Sequence, residues 1–523
     1  MKKRIFAKLI SAFLFISIFS ACGTSSQQGG NTTTQTNSQA STTTTTTTSS
    51  NQTTADIKKI VVAFPTWTGA PKDLKIVQDA MNEITRKSIG VEAELLVTDF
   101  ASYNQQMTLT LTGNEPLDVF ITIGNLYVPS IQKGELINLE ENDLLKTYGQ
   151  GIIDAVGMTY IDACRVGGVL YGLPNNRDMA QGRGCASVRT DLLDQIGYQS
   201  KNTGEIEKVT LDELDNIYAQ IYAANPGLEI YRSVTNSMAQ FSNVDMLGGN
   251  AFGVLTDYGA KREVVNLFET QFYSDYCQRM WKMYNLGYIS ADSATDTTAV
   301  GELVKAGTLA SYTTGGKPGI KQQETNLCGK PMTIFQTLGD YISSSAVAAF
   351  PWSIPLNCKD PVSAMKWLNE MYTNADLMNL ISWGIKDVHY QVLDSGLIDY
   401  APGVDATNSG YNHSMGWMFF NQFLTYVWNG NAPDVWDQIK KFNDNAYKSS
   451  ALGFTFDPTN VSTEMTAVQN VYDEYQKSLE YGLVDPAVAI PEMNAKMKAA
   501  GIDNIIAEKQ KQLNEWATKM GLN

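Results

Sequence analysis

Nine tryptophans and 25 tyrosines are the residues of this chain best equipped to meet a ligand. Several stand beside Gly, Pro or Asn, where a loop would present them: Trp67, Tyr127, Tyr312, Trp352, Trp383, Trp417 and Trp428. Such a ring stacks on a flat apolar face, and its N–H or O–H adds a directed hydrogen bond. Trp67 and Trp352 each follow an apolar run that reads as a strand, the place where open α/β sheets gather ligands. Polar partners are near at hand. Asn125 follows a third apolar run, Arg177 sits in Pro174-Asn175-Asn176-Arg177-Asp178, and Arg183 lies between Gly182 and Gly184. Trp367 and Trp516 fall on helical apolar faces and are expected in the core.

The residues for bond-making chemistry are sparse. Two histidines, His389 and His413, serve the whole chain and are expected to be structural. There is no His-Glu-x-x-His, Gly-x-Ser-x-Gly or P-loop. Ser130-x-x-Lys133 and Ser363-x-x-Lys366 have a Ser-x-x-Lys spacing without the Lys-Thr-Gly that would complete it. Asp292-Ser293-Ala294-Thr295-Asp296 lacks the Gly and distal Glu of a calcium loop, so helix capping is its expected role. Neither a metal nor a cofactor is expected. Five cysteines beyond Cys22 (Cys164, Cys185, Cys277, Cys328, Cys358) include no C-x-x-C pair and read as buried thiols. A formal charge of −15 disfavours nucleic acid.

The elements that must position these residues begin after an unusual N-terminus. Met1–Lys8 is basic, and Leu9–Phe19 is an apolar run too short to span a bilayer, which takes roughly 20 residues. It ends in Phe19-Ser20-Ala21-Cys22-Gly23. Residues 1–21 read as a signal peptide with Cys22 as the residue that is lipidated. Residues 22–55 form a Thr/Ser-rich tether with too little apolar surface to fold, spanning roughly 30 Å as a flexible coil.

From residue 56 onward strands and helices alternate. Ile60–Phe64, Val91–Val97 and Leu117–Ile123 read as strands. Helices lie between them, one capped by Asp73 with an apolar face of Leu74, Val77, Met81 and Ile84, the other over Tyr103–Leu111. This β-α-β-α-β order predicts a parallel sheet. Val166–Pro174 reads as a hairpin turning on Gly167-Gly168. Val461, Met465, Val468, Tyr472, Tyr475 and Leu479 form one helical seam, and Ile502, Ile505, Ile506, Leu513, Trp516 and Met520 another. Both are expected to pack on their own domain rather than to pair two chains.

The Cys22 segment and tether, the early strand–helix order, Val169-Leu170-Tyr171-Gly172-Leu173-Pro174 and Val188-Arg189-Thr190-Asp191-Leu192-Leu193 together resemble family 1 extracellular solute-binding proteins of ABC importers. Trp383-Gly384-Ile385-Lys386-Asp387-Val388-His389-Tyr390 and the stretch from Asp485-Pro486 to Leu513 resemble the LipO-like subgroup with its characteristic C-terminal domain. Lys386-Asp387 departs from the Glu-Gly expected there. The resemblance implies an α/β, bilobal periplasmic-binding-protein-like fold (type II), two lobes joined by a hinge, with a helical C-terminal extension. The expected division gives residues 56–180 to lobe 1, with about 311–370 returning to it. Lobe 2 takes 181–310, with about 371–460 contributing, and 461–523 form the helical region.

The resemblance further implies a monomeric, lipid-anchored protein on the outer face of the cell membrane, not an enzyme. It would capture carbohydrate between its lobes and deliver it to the permease of an ABC transporter. Sugars offer flat C–H faces and rims of hydroxyls, which suits Trp67, Asn125, Tyr127, Arg177, Tyr312, Trp352 and Trp383 as ligand contacts. The rival readings are a surface glycoside hydrolase, which needs only two carboxylates among 54 acidic residues, and an adhesive lipoprotein.

Overall fold

The computed structural model describes residues 57–522 apart from 68, 124–125, 202–203, 235–236, 249, 406–407 and 412–414. Cys22, the leader and the tether lie outside the described residues, as do Asn125 and His413. Among the described residues no helix is long and apolar enough to cross a membrane.

The first sheet follows from the predicted alternation. Lys58–Thr66 pairs in parallel with Val91–Asp99 on one side and Val119–Ile121 on the other. Helices Leu74–Ile89 and Tyr103–Thr112 connect them. The first helix stops at Gly90, whose φ of 69° is the left-handed conformation that glycine adopts without strain. Asp73 makes no side-chain cap here; its carboxylate lies 3.2 Å from His389 Nε2 instead. Two short antiparallel strands, Trp352–Ser353 and Gly172–Leu173, complete the sheet. The hairpin turns as expected, with Arg165–Val166 against Val169–Leu170 and both intervening glycines at positive φ.

A second sheet is built on the long strand Gln181–Arg189. Leu309–Gly316, Met332–Gln336 and Asp340–Ile342 all run antiparallel to it. Each sheet organises its own hydrophobic core. The first gathers Phe64, Val119, Trp352, Trp367 and Phe420, the second Val188, Tyr231, Phe268, Leu479 and Leu513. The C-terminal helices Ser462–Glu480, Pro486–Ala500 and Ile502–Lys519 join the second core, so both tail seams pack on their own chain.

The chain divides between the cores differently from the expected scheme. Residues 309–336 belong to the second sheet rather than returning to the first lobe, because Leu309–Gly316 and Met332–Gln336 find their partner in Gln181–Arg189. Leu377, Ile381, Tyr411 and Phe419, expected with the second lobe, pack in the first core instead. Apolar runs announce strands; they do not announce which sheet receives them.

The chain passes from one core to the other three times: between Ala180 and Ala186, between Phe335 and Ile342, and between Ala446 and Ala451. The strands at these crossings, Gln181–Arg189, Asp340–Ile342 and Tyr447–Lys448, are neighbours in the second sheet. Among the described residues the chain thus crosses between the two halves through three neighbouring strands, a three-stranded ribbon. Asn443, itself buried, holds its first strand: its Oδ1 accepts from the amides of Met179 and Ala180 (3.0 and 2.9 Å), and its Nδ2 donates to the Arg177 carbonyl.

Candidate functional site

A cavity of about 350 Å³ opens between elements of the two cores. Its apolar wall begins at Trp383, the last residue of helix Ala375–Trp383. That helix starts under the side chain of Asn374, which accepts from the amides of Asp376 and Leu377. It ends at Gly384, φ 83°, where any Cβ would lie 2.4 Å from His389 Nδ1. His389 Nδ1 accepts from the Ile385 amide (2.8 Å) while Nε2 faces Asp73. His389 is therefore structural, as expected, and fixes the turn that carries Trp383.

Trp428 lies 5.4 Å from Trp383, and Tyr400 meets Trp428 edge-on at 4.9 Å. Trp436, its Nε1 donating to the Thr425 carbonyl (2.8 Å), and Trp417, edge-on to Phe350 at 4.9 Å, extend the wall. Facing these rings is the turn Lys317–Gly319 and the helix Ile320–Cys328, which presents Gln322, Gln323 and Asn326. This helix packs Ile320 onto Cys185 and Ile334 of the second sheet. Its first turn is held by Glu205, which accepts from the amides of Gly319 and Lys321, both at 2.8 Å. Lys317 Nζ reaches back 2.6 Å to Asp178, beside the first crossing strand.

Two polar atoms on this wall lack a partner. Trp383 Nε1, a donor, and Gln422 Oε1, an acceptor, are both buried without a hydrogen bond. Buried polar groups are almost always paired, so an orphan donor and an orphan acceptor in one cavity point to a ligand group that can do both, as a hydroxyl can. No Asp or Glu lines the cavity among the described residues. The surface is aromatic and amide, suited to stacking and neutral hydrogen bonds.

The other sequence-predicted residues are dispersed. Trp67 is 59% exposed and stacks on Phe100 at 5.1 Å, at the carboxyl end of the first sheet and outside this cavity. Tyr127 is buried, its hydroxyl donating to the Cys164 carbonyl at 2.6 Å. Tyr312 is buried with its hydroxyl on Glu324 and Cys328. Trp352 is 0% exposed, stacked on Phe420 at 4.2 Å, with Nε1 donating to the Met418 carbonyl. These three are core residues rather than ligand contacts, because packing and internal hydrogen bonds already occupy them. Arg177 is occupied too, donating to the carbonyls of Asp178 and Ala346 and lying over Phe350. Of the residues expected as ligand contacts Trp383 lines the cavity, and Trp417 and Trp428 of the wider set of loop aromatics line it too.

Lys386 and Asp387 are exposed and outside the cavity wall. Asp387 has φ 63°, so it holds in left-handed conformation the position where glycine is expected. Tyr400, Trp436 and the amides were missed by sequence reasoning. The signal was present in the amide run Gln322-Gln323 and in the Trp428–Trp436 spacing, yet nothing in sequence places these segments opposite each other.

Residues 450–518 match the family model described as Domain of unknown function (DUF3502). The chain is 26% identical over 455 residues to a protein named carbohydrate ABC transporter substrate-binding protein from Streptococcus pneumoniae serotype 4 (strain ATCC BAA-334 / TIGR4), covering 85% of this chain and 89% of that one. Among solved structures it resembles the N-glycan transport solute binding protein (NgtS) from Streptococcus pneumoniae. They are 22% identical with a TM-score of 0.77, over 88% of this chain and 99% of that one. For the same protein in complex with Man5GlcNAc the TM-score is 0.65, at 22% identity over the same shares.

Proposed function

We propose, for a chain whose fold is that of the type II solute-binding proteins and whose likeness to the family 1 extracellular group is borne out by its relatives, that it captures an oligosaccharide for an ABC importer. The observation that carries this reading is the cavity walled by Trp383, Tyr400, Trp417, Trp428 and Trp436 on one side and by carboxamides on the other. Pyranose rings present C–H faces to such planes and hydroxyls to such amides. Glycoside hydrolysis by the two-carboxylate route needs a pair of acids flanking the bond, and the cavity wall supplies none among the described residues.

In this reading the two cores are two lobes, and the three-stranded ribbon is the hinge on which they close. Sugar bridging both walls binds the closed state better and shifts the population toward it. Cys22 carries the lipid, residues 22–55 hold the body off the outer face of the membrane, and the loaded protein, a monomer without catalytic activity, hands its ligand to a permease. Thermal unfolding against a panel of neutral oligosaccharides tests the proposal. At least one member raises the Tm of the full chain, and that rise is lost in Trp428→Ala. If every glycan leaves Tm unchanged while a peptide or an ion shifts it, the carbohydrate reading fails.

A further inference from the structure

Arg183 stands at the first crossing between the cores, in strand Gln181–Arg189. A buried guanidinium is costly unless a carboxylate offsets its lost hydration. The other arginines of the interior obey this rule. Arg177 has Asp178, Arg189 has Asp191, Arg232 has Glu229 and Asp296, and Arg279 has Asp215. Arg183 has no carboxylate within ion-pair distance among the described residues. Its Nη1 donates to the Ala239 carbonyl (3.1 Å), and its guanidinium lies 5.6 Å from the Tyr341 ring. Its Nε is buried and unpartnered. Asp245, a carboxylate that acts on it electrostatically, is already engaged by the Leu247 amide and by the amide and hydroxyl of Ser344. Burial pulls the Arg183 pKa below its usual value.

The position is built rather than accidental. Gly184 at φ 67° and a register shift between Thr314 and Gly316 interrupt the strand. Arg183 thereby lies with helix Ser237–Gln240, while Cys185 packs with Ile320 and Ile334. Any Cβ at Gly184 would stand 2.2 Å from Thr337 Oγ1. Arg183 lines a cavity of about 240 Å³ together with Gln240, Met246, Ser343 and Ser345. Gln240 Oε1 is also buried without a partner. An anion without a proton to donate, such as chloride or sulfate, would satisfy the arginine but not this acceptor, which needs a donor. The missing group must carry negative charge and a hydroxyl on one small frame.

We propose that this cavity is a second ligand site that binds an acidic sugar residue, Arg183 donating to its carboxylate and Gln240 accepting from an adjacent ring hydroxyl. The inference rests on the reading of the chain as a carbohydrate-binding protein and adds an anionic sugar to its ligand.

Calorimetric titration of the full chain with galacturonate, glucuronate and mannuronate, each beside its parent neutral hexose and beside acetate, tests it. At least one uronate is expected to bind ten times or more tighter than its hexose and than acetate, since an ionised acceptor strengthens the hydrogen bonds. Arg183→Gln is expected to erase that preference while leaving the Tm response to neutral oligosaccharide in place. Gln240→Leu should weaken the uronate and leave acetate unaffected. Equal binding of uronate and hexose, a preference that survives Arg183→Gln, or no binding by any uronate overturns the proposal. Acetate matching the uronate assigns the cavity to free carboxylates and overturns the sugar. Were Arg183→Gln not to fold, Gln240→Leu with the same ligands decides it. A uronate that binds while every neutral glycan fails would sink the neutral reading of the aromatic cavity and leave this one standing.

Discussion

Two tryptophans show what a single residue's surroundings decide. Trp352 and Trp383 look alike in sequence, each beside a small or cyclic neighbour at the end of an apolar run. Ala346–Phe350, which reads as a strand, is a run of turns, and the strand proper is Trp352–Ser353 between two antiparallel neighbours. That slip of a few residues moves Trp352 from a strand's end to its interior. Trp352→Ala is therefore expected to cost about 3–5 kcal/mol of stability. Trp383→Ala and Trp428→Ala should instead leave the unfolding free energy within about 1 kcal/mol of the parent while weakening ligand about 10- to 100-fold, as aromatic anchors in a binding surface do. Chemical denaturation and calorimetry on the three variants separate these outcomes. A stable Trp352→Ala, or a Trp383→Ala with full affinity, reverses the assignment.

Two ionisable residues in the second core carry a pH signature of their own. Glu480 is buried, accepts from the Tyr472 hydroxyl (2.8 Å) and Gln476, and has no cation bonded to it among the described residues; burial lifts its pKa to about 7. Lys509 is 0% exposed, donates to Asn250 and the Gly253 carbonyl, and is pushed down to about 7. Between pH 4.5 and about 7 the folded state holds a proton on Glu480 that the unfolded chain has released, so this group's contribution falls as pH rises. Between about 7 and 10.5 the unfolded chain holds a proton on Lys509 that the fold releases, so stability recovers. Their joint contribution is lowest near neutrality. Glu480→Gln should raise Tm at pH 8 and barely change it at pH 5. A gain of the same size at both pH values would show that the carboxyl ionises freely in the fold.

At the scale of elements, the first sheet was legible because its signals are local: continuous apolar runs, helical periods of 3.6 and a glycine at each stop. The hairpin on Gly167-Gly168 and the tail seams were legible for the same reason. The second sheet was not, since Gln181–Arg189 gathers strands more than a hundred residues away, and pairing across such distances leaves no mark on the runs themselves. The candidate site shares that difficulty. One wall hangs on the first core and the other on the second, so Trp383 could be suspected while its companions Tyr400 and Trp436 could not. The hinge ribbon depends on one side chain in the same nonlocal way. Asn443→Ala removes three hydrogen bonds to the buried backbone of residues 177–180. Unpaired amides there should cost about 2–4 kcal/mol in total. Hydrogen exchange should show faster exchange confined to Met179 and Ala180 and their neighbours; exchange unchanged at those amides would mean that the ribbon is held elsewhere.

For the molecule as a whole, the reading joins an anchor to a clamp, and each half has its own test. Cys22→Ser should move the protein from the membrane fraction to the medium, because an apolar run of 11 residues is too short to hold it by itself. Retention on the membrane would remove the lipid from the account. The clamp requires that ligand binding and lobe approach be one equilibrium, so that only differential affinity for the closed state moves the lobes. Lys317 gives that coupling a physical route, lining the aromatic cavity and pairing at 2.6 Å with Asp178 beside the hinge ribbon. Small-angle scattering of residues 56–523 should show the radius of gyration falling as a responsive oligosaccharide reaches saturation. In Lys317→Met the lobes lose a link between ligand wall and hinge, and the apparent affinity should fall several-fold while the saturated radius stays the same. A radius that does not change at saturation would mean that ligand binds to lobes already fixed in place, and the clamp would give way to a rigid receptor.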